Sequence, residues 1–139
     1  MWSPRESAHQ HPTEFARRSL PHSLRVYGKV VSCFYAVGFG AHFLDVLDLR
    51  FKFSQESSVL RLWAVYLLVA DAATAIGLWS GRPIGFALFA VVAASQLAAY
   101  SLFPNTFGHE YVLMGFHAAT LSSFGLIVLR LRLRAAHRE

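Results

Sequence analysis

Five side chains in this sequence carry chemistry that lipid does not tolerate alone. They are His42, Asp45, Asp71, Gln96 and His117, each set inside a long apolar run. An ionisable group in hydrocarbon has to be neutral, paired or hydrated, so each marks a candidate site. His42 and Asp45 are three residues apart, which places them on one face of a helix. Two histidines on different helices can ligate a haem axially. With Asp45 they can instead hold copper or zinc, since imidazole and carboxylate suit both ions. The same groups also suit a quinone or another small ligand, or a hydrogen-bonded pair that only fixes packing. Asp71 allows a proton relay or an ion site, and equally a protonated carboxyl bonded to a neighbouring helix. No Ser–His–acid set, phosphate loop or paired-carboxylate hydrolase pattern accompanies these residues, which argues against an independent enzyme.

The elements that must position these groups follow from composition. The 139 residues are 55% hydrophobic and only 15% charged, against roughly 25% in an ordinary soluble domain. The charge lies mostly in residues 1–29 and 130–139. Between those ends the apolar runs predict four spans, at about 26–47, 59–79, 84–103 and 111–129. Each is about 20 residues, enough to cross a hydrocarbon core of about 30 Å as a helix. Backbone groups in lipid must pair within their own segment, so the expected fold class is all-α, a four-transmembrane-helix bundle. The joints are legible too. Ser57 or Ser58 is placed to cap the second helix, and Pro83 to start the third after the Ser80–Arg82 turn. Pro104 to Gly108 reads as a further turn, and His109 and Glu110 as the capped start of the fourth span. The lone Cys33 makes no intrachain disulfide and reads as a small buried thiol.

Arginine and lysine set the expected orientation. Ten of them (Arg5, Arg17, Arg18, Arg25, Lys29, Arg82, Arg130, Arg132, Arg134 and Arg138) fall on one side, and Arg50, Lys52 and Arg61 on the other. The positive-inside rule then puts both termini in the cytoplasm, here of a bacterial inner membrane. The basic pI of about 9.9 is explained by these flanking arginines rather than by nucleic acid, which is not an expected partner. Residues 1–25 read as a polar cytoplasmic arm, flexible or lying on a partner. Residues 132–139 read as a basic cytoplasmic tail, and the LRLRLR stretch leading into it as a helix end with snorkelling arginines rather than a lipid-headgroup site. Trp63, Trp79, Tyr100, Phe103 and Tyr111 fall near span ends, where interfacial aromatics belong.

A rise of about 1.5 Å per residue gives the depths. His42, Gln96 and His117 fall in one expected layer about 10 Å below the outer ends of their spans, with Asp45 above it and Asp71 below. Each span also carries small residues at four-residue spacing: Gly28, Ser32, Ala36 and Gly40; Ala73 and Gly77; Ala90, Ala94 and Ala98; Gly115, Ala119 and Ser123. Such stripes let membrane helices pack closely. On a helical wheel the polar residue of each span points at least ~120° from its stripe. Either the polar faces meet inside the bundle, or the stripes do and the polar residues meet another subunit.

The segment ADAATAIGLWSGRPIGFALFAVVAA, together with the chain's size and its four spans, resembles the DoxX-like group of small four-helix membrane proteins. The resemblance implies a subunit or helper of a membrane redox system, including quinone-linked thiosulfate oxidation, and it carries no catalytic residue. The expected function is therefore an accessory or scaffolding subunit of a larger membrane complex, redox-related, with lipid and other membrane subunits or further copies as partners. Two alternatives stay open: a metal-, haem- or quinone-binding protein using His42, Asp45, Gln96, His117 and Asp71, and a small proton-coupled transporter with Asp71 as its coupling residue.

Overall fold

Apolar runs of this length leave the backbone one way to satisfy its own hydrogen bonds, and helices account for nearly all of the computed structural model, which describes residues 20–50 and 52–137. Helix α1 is His22–Val46, α2 is Ser58–Trp79, α3 is Pro83–Leu102, α4 is Pro104–Phe107 and α5 is Tyr111–Ala136. There is no strand among the described residues. The four long helices are each apolar and long enough to cross a membrane.

The joints behave as their residue types dictate. The Ser57 side chain accepts a hydrogen bond from the Leu60 amide at 3.3 Å and caps α2. Pro83 opens α3, where its missing N–H leaves no donor unsatisfied. Gly81, at φ +63°, makes the left-handed turn between α2 and α3. The expected turn at 104–108 is instead one turn of helix, α4, closed by Gly108 at φ +82°. Glu110 precedes α5 but makes no side-chain cap. After α1 the chain reverses through Asp48, which holds φ +56° and accepts the Ser54 amide at 2.9 Å.

Consecutive long helices run antiparallel, α1 against α2, α2 against α3 and α3 against α5; α1 and α5 touch sparsely. This creates two ends. At the terminus end, where α1 starts and α5 finishes, Leu24, Val31, Tyr35, Leu78, Phe86, Phe89, Val92 and Ala93 form an apolar core. Three phenylalanines and Tyr27 interlock there, with Phe86 and Phe124 stacked at 5.6 Å and Phe89 edge-on to Phe124 at 5.8 Å. Two glycines permit the tightest crossing. A Cβ on Gly77 would stand 2.6 Å from the Gly85 Cα, and one on Gly85 would overlap the Gly77 carbonyl.

The small-residue stripes divide between two fates. Gly28, Ser32 and Gly77 are buried at helix contacts; Gly40 and Ala90 are half-buried; Ala36, Ala73, Ala94, Ala98, Gly115, Ala119 and Ser123 are exposed. A four-residue repeat drifts by about 40° per step around a helix of 3.6 residues per turn, so no stripe stays in one seam for a whole span. Three other expectations also change. Cys33 is exposed on α1, because it lies opposite the face that holds Val31, Ser32 and Tyr35. The segment read as a basic tail continues α5 through Ala136, with Arg130, Arg132 and Arg134 exposed. The segment read as an arm ends earlier, since α1 begins at His22; residues 1–19 lie outside the described residues.

Candidate functional site

The polar faces meet each other inside the loop end of the bundle. Asp45, Asp71, Gln96 and His117 are all buried, and each comes from a different long helix: α1, α2, α3 and α5. His117 is the one buried residue of α5. His42 is half-buried, one turn before the end of α1.

His42 is the hinge of the arrangement. Its Nδ1 lies 3.6 Å from Asp45 Oδ2 and its Nε2 lies 3.8 Å from Asp71 Oδ2. The first contact is the one-face pairing that i, i+3 spacing dictates. The second depends on Gly38, where a Cβ would come within 2.7 Å of Asp71 Oδ2; a hydrogen there lets the α2 carboxylate press against α1. Asp45 is secured on its other side by Arg50, in a fork of two bonds: Nε to Oδ1 at 2.7 Å and Nη2 to Oδ2 at 2.8 Å. Bidentate geometry of this kind both neutralises and orients a carboxylate.

Two cavities flank this line. The outer one is a vestibule of about 640 Å³ at the loop end. His42, Asp45 and Arg50 are on its wall with Trp63, Tyr100, Phe107 and Phe53, and Glu56 and Glu110 also line it. The rings form a connected wall, Trp63 to Phe107 at 5.0 Å and Tyr100 to Phe107 at 6.4 Å. The inner cavity is about 50 Å³, lined by Tyr35, Gly38, Asp71, Gln96 and His117, and it opens to the flank of the bundle beside the exposed Phe34 and the half-buried Phe116. His42 and Asp71 meet where the two cavities adjoin, His42 on the vestibule side and Asp71 on the inner side.

This geometry revises the single expected layer. His117 packs beside Tyr35, ring centroids 6.1 Å apart, and Tyr35 is two turns of α1 away from His42. The two histidines therefore occupy two levels, about 10 Å apart along α1. A haem held between them does not fit, since the space at His117 is only about 50 Å³. Copper or zinc does not fit either. Both His42 nitrogens are directed at carboxylates, on opposite sides of the ring, so the three groups form a chain rather than a chelate. Among the described residues no group of three His, Cys, Asp or Glu side chains converges on an ion. The vestibule's volume falls in the ordinary range for small-molecule sites.

Several site residues escape a reading of the sequence. Arg50 is five residues from Asp45, beyond the helical i+4 rule, and reaches it only because Asp48 reverses the chain. Tyr35 looks like one more aromatic in an apolar run, although a phenol there has the same need for a partner as Gln96. Trp63 and Tyr100, read as interfacial anchors, stand in the vestibule wall because their helices place them on the α2–α3 inner face. Gly38 carries a signal only through its neighbour Gly40 in the GFG triplet.

No curated protein and no solved structure matches this chain. A family model matches residues 23–135, from the first turn of α1 to the last turn of α5, and by it the chain belongs to a family of unknown function, DUF6163.

Proposed function

We propose that this protein is a subunit of a membrane redox complex that binds a quinone-class ligand in the vestibule. The observation that carries the reading is His42, which faces the vestibule while backed by two carboxylates. A ligand whose chemistry exchanges protons needs such a group; a permanently charged or purely apolar ligand does not. Trp63, Tyr100 and Phe107 would hold a ring by stacking, and His42 would supply an N–H donor for a ring oxygen by turning one nitrogen away from its carboxylate, both contacts being longer than a hydrogen bond at 3.6 and 3.8 Å. A quinone supplies reversible two-electron, two-proton chemistry, and its electrons are exchanged with a redox centre of a partner subunit. The likeness to DoxX-like proteins supports the same assignment.

The partner faces are the outer surfaces of α5 and α1. Ala119 and Ser123 form a small exposed strip on α5, suited to close helix packing. The positive-inside rule orients both termini to the cytoplasm of a bacterial inner membrane, so the vestibule opens outward. Purified in lipid nanodiscs and titrated with a short-chain quinone analogue, the protein is expected to show saturable quenching of Trp63 fluorescence. His42→Ala is expected to weaken that binding at least tenfold, about 1.4 kcal/mol. Unsaturable quenching sinks the ligand assignment, and a lone monomer after extraction in mild detergent sinks the subunit assignment.

A further inference from the structure

Behind His42 the bundle hides polar atoms with nothing to bond to. Asp71 Oδ1, both ring nitrogens of His117, Tyr35 Oη and Thr74 Oγ1 are buried without a hydrogen-bond partner. Asp71 is 3% exposed and His117 2%. A buried polar group left unpaired is destabilising, and in native proteins such groups are usually met by ordered water. Asp71, His117 and Tyr35 share the inner cavity with Gln96, and its volume of about 50 Å³ accommodates one or two waters. The donors and acceptors are complementary: a carboxyl, an imidazole, a phenol and an amide can each both give and accept through water.

We propose that water in this cavity joins the Asp71 carboxyl to the His117 imidazole, and that the pair is a proton store reached from the vestibule through His42 and closed toward the terminus end. Protonation of His42 from the vestibule gives an imidazolium between Asp45 and Asp71. His42 Nε2 stands 3.8 Å from Asp71 Oδ2, so the proton passes when the imidazolium draws the carboxylate in to hydrogen-bond distance; its loss restores the neutral ring and leaves Asp71 a carboxylic acid, which shares the proton with His117 through water. Only N–H and O–H bonds form and break. The groups that face this path are Tyr35, His42 and Asp45 from α1, Arg50 behind Asp45, His117 from α5, and Gln96, which does not titrate, from α3. Tyr100 and Glu110 stand on the vestibule side.

Beyond His117 and Tyr35 the space between the helices is filled by Val31, Leu78, Phe86, Phe89, Val92 and Ala93. Ser32 and Tyr27, the polar side chains of α1 there, are bonded to the Ala75 and Thr120 carbonyls. No carboxylate or histidine follows on α2 after Asp71, on α3 before Gln96, or on α5 between His117 and its C-terminal cap.

The inference does not depend on the vestibule ligand, and its test contains none. Infrared difference spectra of the full chain in lipid, taken between low and high pH, are expected to show a protonated-carboxyl band that disappears in Asp71→Asn. In His117→Gln the band is expected to shift, and in His42→Phe its deuterium exchange is expected to slow at least tenfold. Proteoliposomes of the unaltered protein under an imposed pH gradient are expected to pass no steady proton current. A band indifferent to His117→Gln, exchange as fast without His42, or a steady current would each overturn the proposal. The last measurement needs no variant, so a substitution that fails to fold cannot shelter it.

Discussion

At the terminus end of the bundle, Phe86, Phe89 and Phe124 interlock with Tyr27 and Tyr35, and α2 crosses α3 glycine on glycine. At the loop end the same helices spread around two cavities and keep a carboxyl and an imidazole buried with unpaired atoms. In lipid the hydrophobic effect does not separate these arrangements, because tails are as apolar as leucine; close packing and satisfied polar groups do. The terminus end therefore holds the fold, and the loop end is a region whose residues oppose stability. Groups retained against stability point to function.

Substitutions at the two ends should accordingly have opposite signs. The largest effect is expected for Gly85→Ala, where the new Cβ overlaps the Gly77 carbonyl and the α2–α3 crossing has to open. Overpacking against backbone is expected to remove about 3 kcal/mol, read as a lower unfolding midpoint in a mixed-detergent titration. Equal stability of the variant would show that the crossing is not tight. Asp71→Leu is expected to do the reverse and stabilise the protein by about 1 kcal/mol in the same titration, since it replaces a carboxyl that is costly to bury, with His42 no nearer than 3.8 Å, by an apolar group of similar shape. It is also expected to abolish any proton response of the site. A destabilised variant would mean that Asp71 supports the fold, and the contrast between the ends would fail. The smallest effect is expected for Tyr27→Phe, which removes the 2.6 Å bond to the Thr120 carbonyl that ties α1 to α5. Interhelical hydrogen bonds in membranes average about 0.6 kcal/mol, so a loss above twice that would show that α5 depends on this single tether.

How much of this was legible before folding varies from residue to residue. The spans, the Ser57 cap and the Pro83 start are local consequences of hydropathy, a hydroxyl and a ring, and each helix ends close to its expected place except α5. The alternating Leu and Arg at 129–134 reads as a helix end with snorkelling arginines, and α5 runs through it to Ala136. The polar residues were legible as a set. Which ones touch was not, because His42 meets Asp71 through the absence of a side chain at Gly38. The wheel angles set the polar residues apart from the small ones, yet Gly28, Ser32 and Gly77 are buried as the polar residues are, while the rest of each stripe drifts out of the seams.

By itself the sequence determined an all-helical chain of four membrane-length segments, with two buried-type polar residues in the first segment and one in each of the others. Those are properties of single helices, dictated by the need to satisfy backbone groups in lipid and to shelter an Asp or a His from it. The tertiary structure alone decided that the polar faces turn toward one another, that His42 and His117 fall on different levels, and that Arg50 closes the outer end. Each of these depends on how far two backbones approach, which is set at Gly38, Gly77 and Gly85 by atoms that are not there.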